Sequence, residues 1–340
     1  MITKIVNFSA FELMLAVIFV IIVTIAFSSC KQATEPANKL TNPLETKYLN
    51  YDNWYDTSIP AQIEDVSALS PAELMNYKGK MYWYNISPPD VSLRDILVNS
   101  NENIQTSVLD LVYNPAERGC YNTDTLFSTS DSNWGGTIFL IDKDDRTFVN
   151  DNFDTGYLSL WLNFEDKLPG GYLTIDLGRI SEDVIPNHIL DTEDKNHNGI
   201  LDAGEDTGLD GLTDKQEPGY NSSNQDPEND DYSYTAGINF ERINNPEGNQ
   251  KLNMEDINYN GTLDLVNSYY SYKIPLNYDN NPYIDSAVTS AGWAHMKIKL
   301  TGFTSTTGVP SKTNLDSFRI WISGINKIVR IRFAEIKFDK

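Results

Sequence analysis

Beyond residue 50, apolar residues recur at every second position in short runs, separated by Gly, Pro, Asn and Asp. That is the period of a strand with one buried face. Leu158, Leu160, Leu162 and Phe164 share one face, with Ser159, Trp161 and Asn163 on the other. Leu173, Ile175 and Leu177 alternate with Thr174 and Asp176, and Phe318, Ile320 and Ile322 with Arg319, Trp321 and Ser323. Strands are expected at 80–86, 108–113, 136–142, 157–164, 171–178, 269–276, 293–300, 315–323 and 328–338, the last with a bulge where the phase shifts near Phe333-Ala334. One-sided alternation calls for antiparallel pairing, and this many short strands for an all-β, two-sheet sandwich of jelly-roll type. Helical periodicity is weak. A short helix is expected within 68–77, with Ser70 as N-cap and Pro71 in its first turn.

The alternation stops between 178 and 269, where the chain turns acidic. Residues 191–267 hold 18 Asp+Glu against 4 Lys+Arg, a net of -14 out of -22 for the whole chain. A block of like charge is ordinarily solvated and disordered, but here acids stand at fixed offsets from glycines. Asp194, Asn196, Asn198, Gly199, Ile200, Asp202 and Glu205 match the twelve-residue calcium-loop pattern D-x-[DN]-x-[DN]-G-x5-E. Calcium takes six to eight oxygens, here from four side chains, the Ile200 carbonyl and Glu205. Gly199 allows the sharp turn, and Ile200 and Leu201 are expected to anchor the loop on an apolar surface. A second copy follows at once with Asp206, Asp210, Asp214 and Glu217, but Gly208 stands at its third position. A third begins at Asp256 with Asn258, Asn260 and Asp264, and ends on Asn267 where a bidentate carboxylate belongs. The alternative is an acidic linker with chance spacing. Abutting loops leave no room for EF-hand helices, so two or three structural calcium ions in a wrapped loop are expected. The acidic insertion is bounded at 188–267 within one sandwich domain, 51–340. Closing a flexible loop of this length costs about 4 kcal/mol. A site whose Kd is one hundredth of ambient calcium contributes about 2.7 kcal/mol, so two sites offset the closure where calcium is abundant.

The N-terminus fits such a place. Residues 13–27 form an apolar run of 15, short for a membrane span but suited to a signal-peptide core. Phe27-Ser28-Ser29-Cys30 follows in lipobox-like order, so residues 1–29 read as a lipoprotein signal peptide, with Cys30 the lipidated residue. An ordinary signal peptide or an uncleaved anchor is the alternative. Residues 30–50 read as a polar tether. With Cys30 lipidated, Cys120 has no disulfide partner. The expected location is a cell envelope, lipid-anchored, at the outer membrane.

Little points to catalysis. His188, His197 and His295 form no zinc pair, and neither G-x-S-x-G nor a phosphate loop occurs. Acids with ligand spacing are better explained as ligands than as acid–base pairs. The negative charge disfavours nucleic acid. A glycan-binding reading rests on the outward aromatics Trp161 and Trp321 as stacking platforms, by analogy with carbohydrate-binding-module jelly rolls.

The runs GKMYWYNI, LVYNPAERGCYN, NWGGTIF and LTIDLGRISEDVIPN, the calcium-loop block and the closing pattern GWAHMKIKL…LDSFRIWISG…VRIRFAEIKF resemble the SprA/Sov family. These are giant outer-membrane proteins of type IX secretion and gliding motility in Bacteroidota-like bacteria. The resemblance covers roughly 79–338. It implies a shared extracytoplasmic module, associated with secretion or gliding machinery, and not a translocon, because this chain has no strands to spare for a large barrel.

Overall fold

The computed structural model describes residues 44–63, 68–85, 91–97, 105–164, 168, 170–279 and 281–340. The signal peptide, Cys30 and most of the expected tether lie outside them. No helix of the described residues is long and apolar enough to cross a membrane.

The described residues form twelve strands: β1 (Gly79–Asn85), β2 (Val91–Ser92), β3 (Gln105–Thr106), β4 (Leu109–Arg118), β5 (Gly135–Leu140), β6 (Tyr157–Phe164), β7 (Tyr172–Arg179), β8 (Ser268–Pro275), β9 (Trp293–Lys299), β10 (Ser305–Thr307), β11 (Ser317–Ser323) and β12 (Val329–Asp339). They form one sheet in the order β1-β4-β12-β6-β9, a second in the order β10-β8-β7-β11-β5, and the small pair β2-β3. Every strand pairing is antiparallel. From β4 onward the chain passes between the two sheets, and β4-β12-β6-β9 faces β8-β7-β11-β5, the double Greek key of a jelly roll. All nine expected strands are present within a few residues. The bulge falls between Phe333 and Glu335.

The alternating apolar residues meet between the sheets. Leu158, Leu160, Leu162, Leu173, Ile175, Leu177, Phe318, Ile320 and Ile322 all belong to one buried cluster. Tyr48 and Leu49 join it, and Leu44 is also buried. The packed domain therefore begins earlier than the expected boundary at 51, because these three side chains fill space that a solvated tether would leave open.

The outer face of the second sheet is also covered. Residues 55–62 cross it, from Tyr55 paired with Ile138 to Gln62, whose Nε2 donates to Thr307 Oγ1 at 2.8 Å. Beneath them Arg319 donates to Asp176 Oδ2 through Nε at 2.8 Å and NH2 at 2.6 Å, and both side chains are within 1% of full burial. Ser271 Oγ and Trp321 Nε1 donate to the same carboxylate. Trp321 is only 4% exposed. The alternation put it on the outer face correctly, but a third layer covers that face, so it is not a stacking platform.

The described residues also form three short α-helices: α1 (Pro71–Met75), α2 (Leu93–Ile96) and α3 (Lys143–Asn152). In α1, Ser70 is the expected N-cap, and Glu73 makes it reciprocal, each accepting from the other's backbone amide. The ten residues of α3 bury only Val149, so no apolar stripe marks it in the sequence; its one signal is Asp142, which accepts from the amides of Asp144 and Asp145.

Candidate metal centres

β7 and β8 are paired neighbours, so the insertion leaves and re-enters the sandwich at one place, where Arg179 pairs with Ser268. Residues 180–267 between them contain no named strand or helix. Many of their backbone amides donate to carboxylates.

The first loop closes on itself. Asp194 accepts from the amides of Asn198 (2.9 Å) and Gly199 (2.7 Å). Asn196 Nδ2 reaches Asp202 Oδ2 (2.8 Å) and Glu205 Oε1 (3.3 Å), and Asn198 Nδ2 reaches the same Asp202 oxygen (2.8 Å). The Ile200 amide donates to Asn198 Oδ1, and the Asp202 amide to Glu205 Oε2. Asn196, Asn198, Asp202 and Glu205 therefore converge, and Asp194 ties the loop through its backbone amides. His197 and Gly199 take the positive φ of 57° and 75° that the turn requires. The Ile200 side chain is 61% exposed and does not anchor the loop.

The third loop repeats this set of bonds. Asp256 accepts from the amides of Asn260 (2.9 Å) and Gly261 (2.7 Å). Asn258 and Asn260 each donate to Asp264 Oδ2 at 3.0 Å, and the Thr262 amide donates to Asn260 Oδ1. The closing carboxylate is not at 267. Asn267 turns away to accept from the Ser181 amide. Glu182 takes the role of Glu205: Asn258 Nδ2 donates to its Oε1 at 2.8 Å, and the Asp264 amide to its Oε2 at 3.1 Å. Sequence spacing could not find Glu182, because it lies on the far side of the insertion and arrives through the β7–β8 pairing. Burial pushes it up to about 7, with the charges of Asp264 and Asp256 adding to the rise against the Asp264 amide hydrogen bond. This loop opens on a cleft of about 540 Å³ lined by Arg179, Asn258 and Asp264.

The two loops are joined at their entrances. Thr192 and Met254 form an antiparallel bridge. The residue after each is a buried glutamate that gathers backbone amides. Glu193 accepts from Thr207, Gly208 and Asn253, and Glu255 from Ile185 and Asp191. Burial raises both, Glu193 to about 7 and Glu255 to about 8.

The second loop does not close in the expected register. Asp206 accepts instead from the amides of Gly248 and Gln250, and Asp210 from Leu212. Asp214 and Glu217 point into a different group of acids, formed with Asp226, Asp230, Asp231 and Glu247. Burial comes first among the causes that lift Glu217 to about 7, Asp230 to about 9, Asp231 to about 6 and Glu247 to about 8; their mutual repulsion adds to it.

Among the aromatics, Trp83, Trp134 and Trp293 are buried like Trp321. Trp161 is half-buried, its ring 4.9 Å from that of His295. A separate cleft of about 260 Å³ lies between the sandwich and the insertion, lined by Tyr51, Tyr55, Tyr232, Tyr234, Asp52 and Lys251 among others. Lys251 Nζ and Asp52 Oδ1 are paired there at 2.7 Å. Cys120 borders this cleft, its thiol pushed up by burial and 3.4 Å from Asn245 Oδ1.

No protein-family model and no curated protein matches the chain. Among solved structures, the chain is similar to the family 11 carbohydrate-binding module from Clostridium thermocellum in complex with a β-1,3-1,4-mixed-linked tetrasaccharide. The identity is 10%, over 75% of this chain and 89% of that one, with a TM-score of 0.25. A likeness at that TM-score says nothing about this chain's ligand.

Proposed function

We propose that this chain is a non-catalytic, calcium-cemented β-sandwich, a structural or interaction module tethered at the outer membrane of a cell envelope through lipidated Cys30. The observation that carries the calcium reading is the repetition of one hydrogen-bond set in two loops far apart in sequence. Chance spacing gives no reason for Glu182 to complete the second set. Each set gathers two carboxylates and two asparagines around an aspartate, an all-oxygen donor group suited to a hard cation. The envelope setting rests on the apolar run and Cys30. Association with secretion or gliding machinery rests on the SprA/Sov-like strings. Elemental analysis of the purified chain should find bound calcium, and EGTA should lower its Tm. A metal-free protein with an unchanged Tm would sink the reading.

Glycan binding is the second reading, and the cleft between sandwich and insertion favours it over the outer sheet faces. Tyrosine faces beside a charged pair offer a sugar both stacking and hydrogen bonds. A polysaccharide panel should then give binding that Tyr51→Ala and Tyr234→Ala each weaken while Trp161→Ala does not. Absence of binding to any polysaccharide would remove this reading and leave the first intact.

A further inference from the structure

We propose that Asp214, Glu217, Asp226, Asp230, Asp231 and Glu247 form a further calcium centre beyond the two closed loops, in which carboxylates bridge more than one ion. This deepens the calcium reading given above, but its ligands are not those of either closed loop.

Ligand atoms of three triads lie within 4.8 Å of one another: Asp214, Glu217 and Asp226; Asp214, Asp231 and Glu247; Glu217, Asp230 and Glu247. Oxygens around one calcium ion are spaced on this scale, since each lies about 2.3–2.6 Å from the ion. Asp214, Glu217 and Glu247 each belong to two triads, so they are the natural bridges.

A group of acids is not a site by itself. Here the hydrogen-bond inventory is incomplete at the point where the acids meet. Asp230 is 1% exposed, and its Oδ1 is buried with no hydrogen-bond partner. Asp214 Oδ1 and Glu247 Oε2 are buried and unpartnered in the same way. Leaving a buried carboxylate oxygen unpaired is costly; a cation in the Glu217–Asp230–Glu247 triad and another in the Asp214–Asp231–Glu247 triad would satisfy these oxygens, with Glu247 common to both. Arg242 is already engaged with Asp226, the Asp231 carbonyl and Asn229, and one guanidinium does not balance six carboxylates.

The neighbouring backbone makes room for this carboxylate cluster. A Cβ at Gly208, where φ is +74°, would stand 2.3 Å from Asp230 Oδ2. Gly208 is the residue that weakens the second loop as a self-contained repeat. Its missing side chain is replaced by a carboxylate from the returning chain. Asp230 is fixed in turn by its amide, which donates to Asp226 Oδ1, and by the Glu247 amide, which donates to its carbonyl.

The full chain, stripped with EGTA and passed through a desalting column, is titrated with calcium chloride by isothermal calorimetry. Wild type should take up more than two ions per chain. The bridge variant Glu217→Gln/Glu247→Gln should fall to two, and Glu205→Gln should lose one ion from the first loop only. A wild type that binds two ions or fewer, or a bridge variant with the wild-type number, overturns the proposal. Loss of binding in Glu205→Gln with the bridge variant unaffected would leave the closed loops as calcium sites and remove only this centre. Asp230→Asn supplies a readout that does not depend on counting. Neutralising an empty acid cluster relieves repulsion, so the variant should melt above wild type in EGTA; it loses a ligand, so it should melt below wild type in 5 mM calcium chloride. The same sign of shift in both conditions overturns the proposal, and magnesium chloride in place of calcium should not reproduce the inversion.

Discussion

The loops at 194–205 and 256–264 carry the same bonds but differ in where the last carboxylate comes from. Glu205 belongs to its own loop. Glu182 lies three residues past the end of β7, where the chain leads into the insertion, beside the strand to which it returns. An ion in the first loop would order a short local segment. An ion in the other would clamp both ends of the insertion to the sandwich edge. Similar chemistry would then give a local fastener in one place and a long-range cross-link in the other, and this chain has no intrachain disulfide among its described residues to do the second job.

Removing every ion is the strongest test of this contrast. EGTA should lower Tm by more than about 10 °C, since each site with a Kd one hundredth of ambient calcium contributes about 2.7 kcal/mol and a domain of this size loses roughly 2–4 °C per kcal/mol. Hydrogen exchange in EGTA should open 180–267 while amides in β6, β7, β11 and β12 stay protected; uniform exposure would mean that the sandwich does not stand apart from its insertion. Next in size is Asp176→Ala. It strands the buried guanidinium of Arg319, at a cost of about 3–5 kcal/mol, equally with calcium and with EGTA, because no expected ion lies there. A calcium-dependent cost would break the separation between the two regions.

The loops themselves are compared by Glu182→Gln and Glu205→Gln. Each should lose about 2.7 kcal/mol of calcium-dependent stabilisation. Glu182→Gln should also speed exchange at Ser181 and at Asn267–Ser268, and Glu205→Gln only within 194–208. Matching exchange patterns would show that Glu182 is not a cross-link.

The smallest effect is that of pH on the metal-free chain. Glu182, Glu193, Glu247 and Glu255 are raised in the folded protein to between about 7 and 8. The folded state therefore holds protons that the unfolded chain has released above its ordinary carboxylate range. The stability so gained is present at pH 4.5 and lost as pH rises through about 7–8. In EGTA, Tm should rise by a few degrees as pH falls from 8 to 5.5. With calcium bound the slope should flatten, because at Glu182 and Glu247 the ion and the proton compete for the same oxygens.

Much of this was legible in the residues. Alternation at 158–164, 173–177 and 318–322 marked strands and their inward faces, because a period of two has one structural meaning. The first loop was legible because all its ligands lie within twelve residues. What escaped was non-local or polar. Glu182, Asp226, Asp230, Asp231 and Glu247 reach their sites through chain return, and no spacing rule covers that. The α3 segment lacks an apolar stripe. Trp321 has a clear face, but alternation cannot tell an outer face in water from one beneath a third layer.

The sequence by itself determined nine of the twelve strands, with the one-sided alternation that calls for antiparallel pairing, and the first closed loop, since each is written in residues close together in the chain. Only the tertiary structure decided that Glu182 replaces Asn267, that the second repeat opens into a shared carboxylate cluster, and that 55–62 seals the Asp176–Arg319 pair. The reason is one of geometry. Pairing β7 with β8 brings the two ends of a long acidic insertion to one place, where Glu182 from one end meets Asn258 and Asp264 from the other.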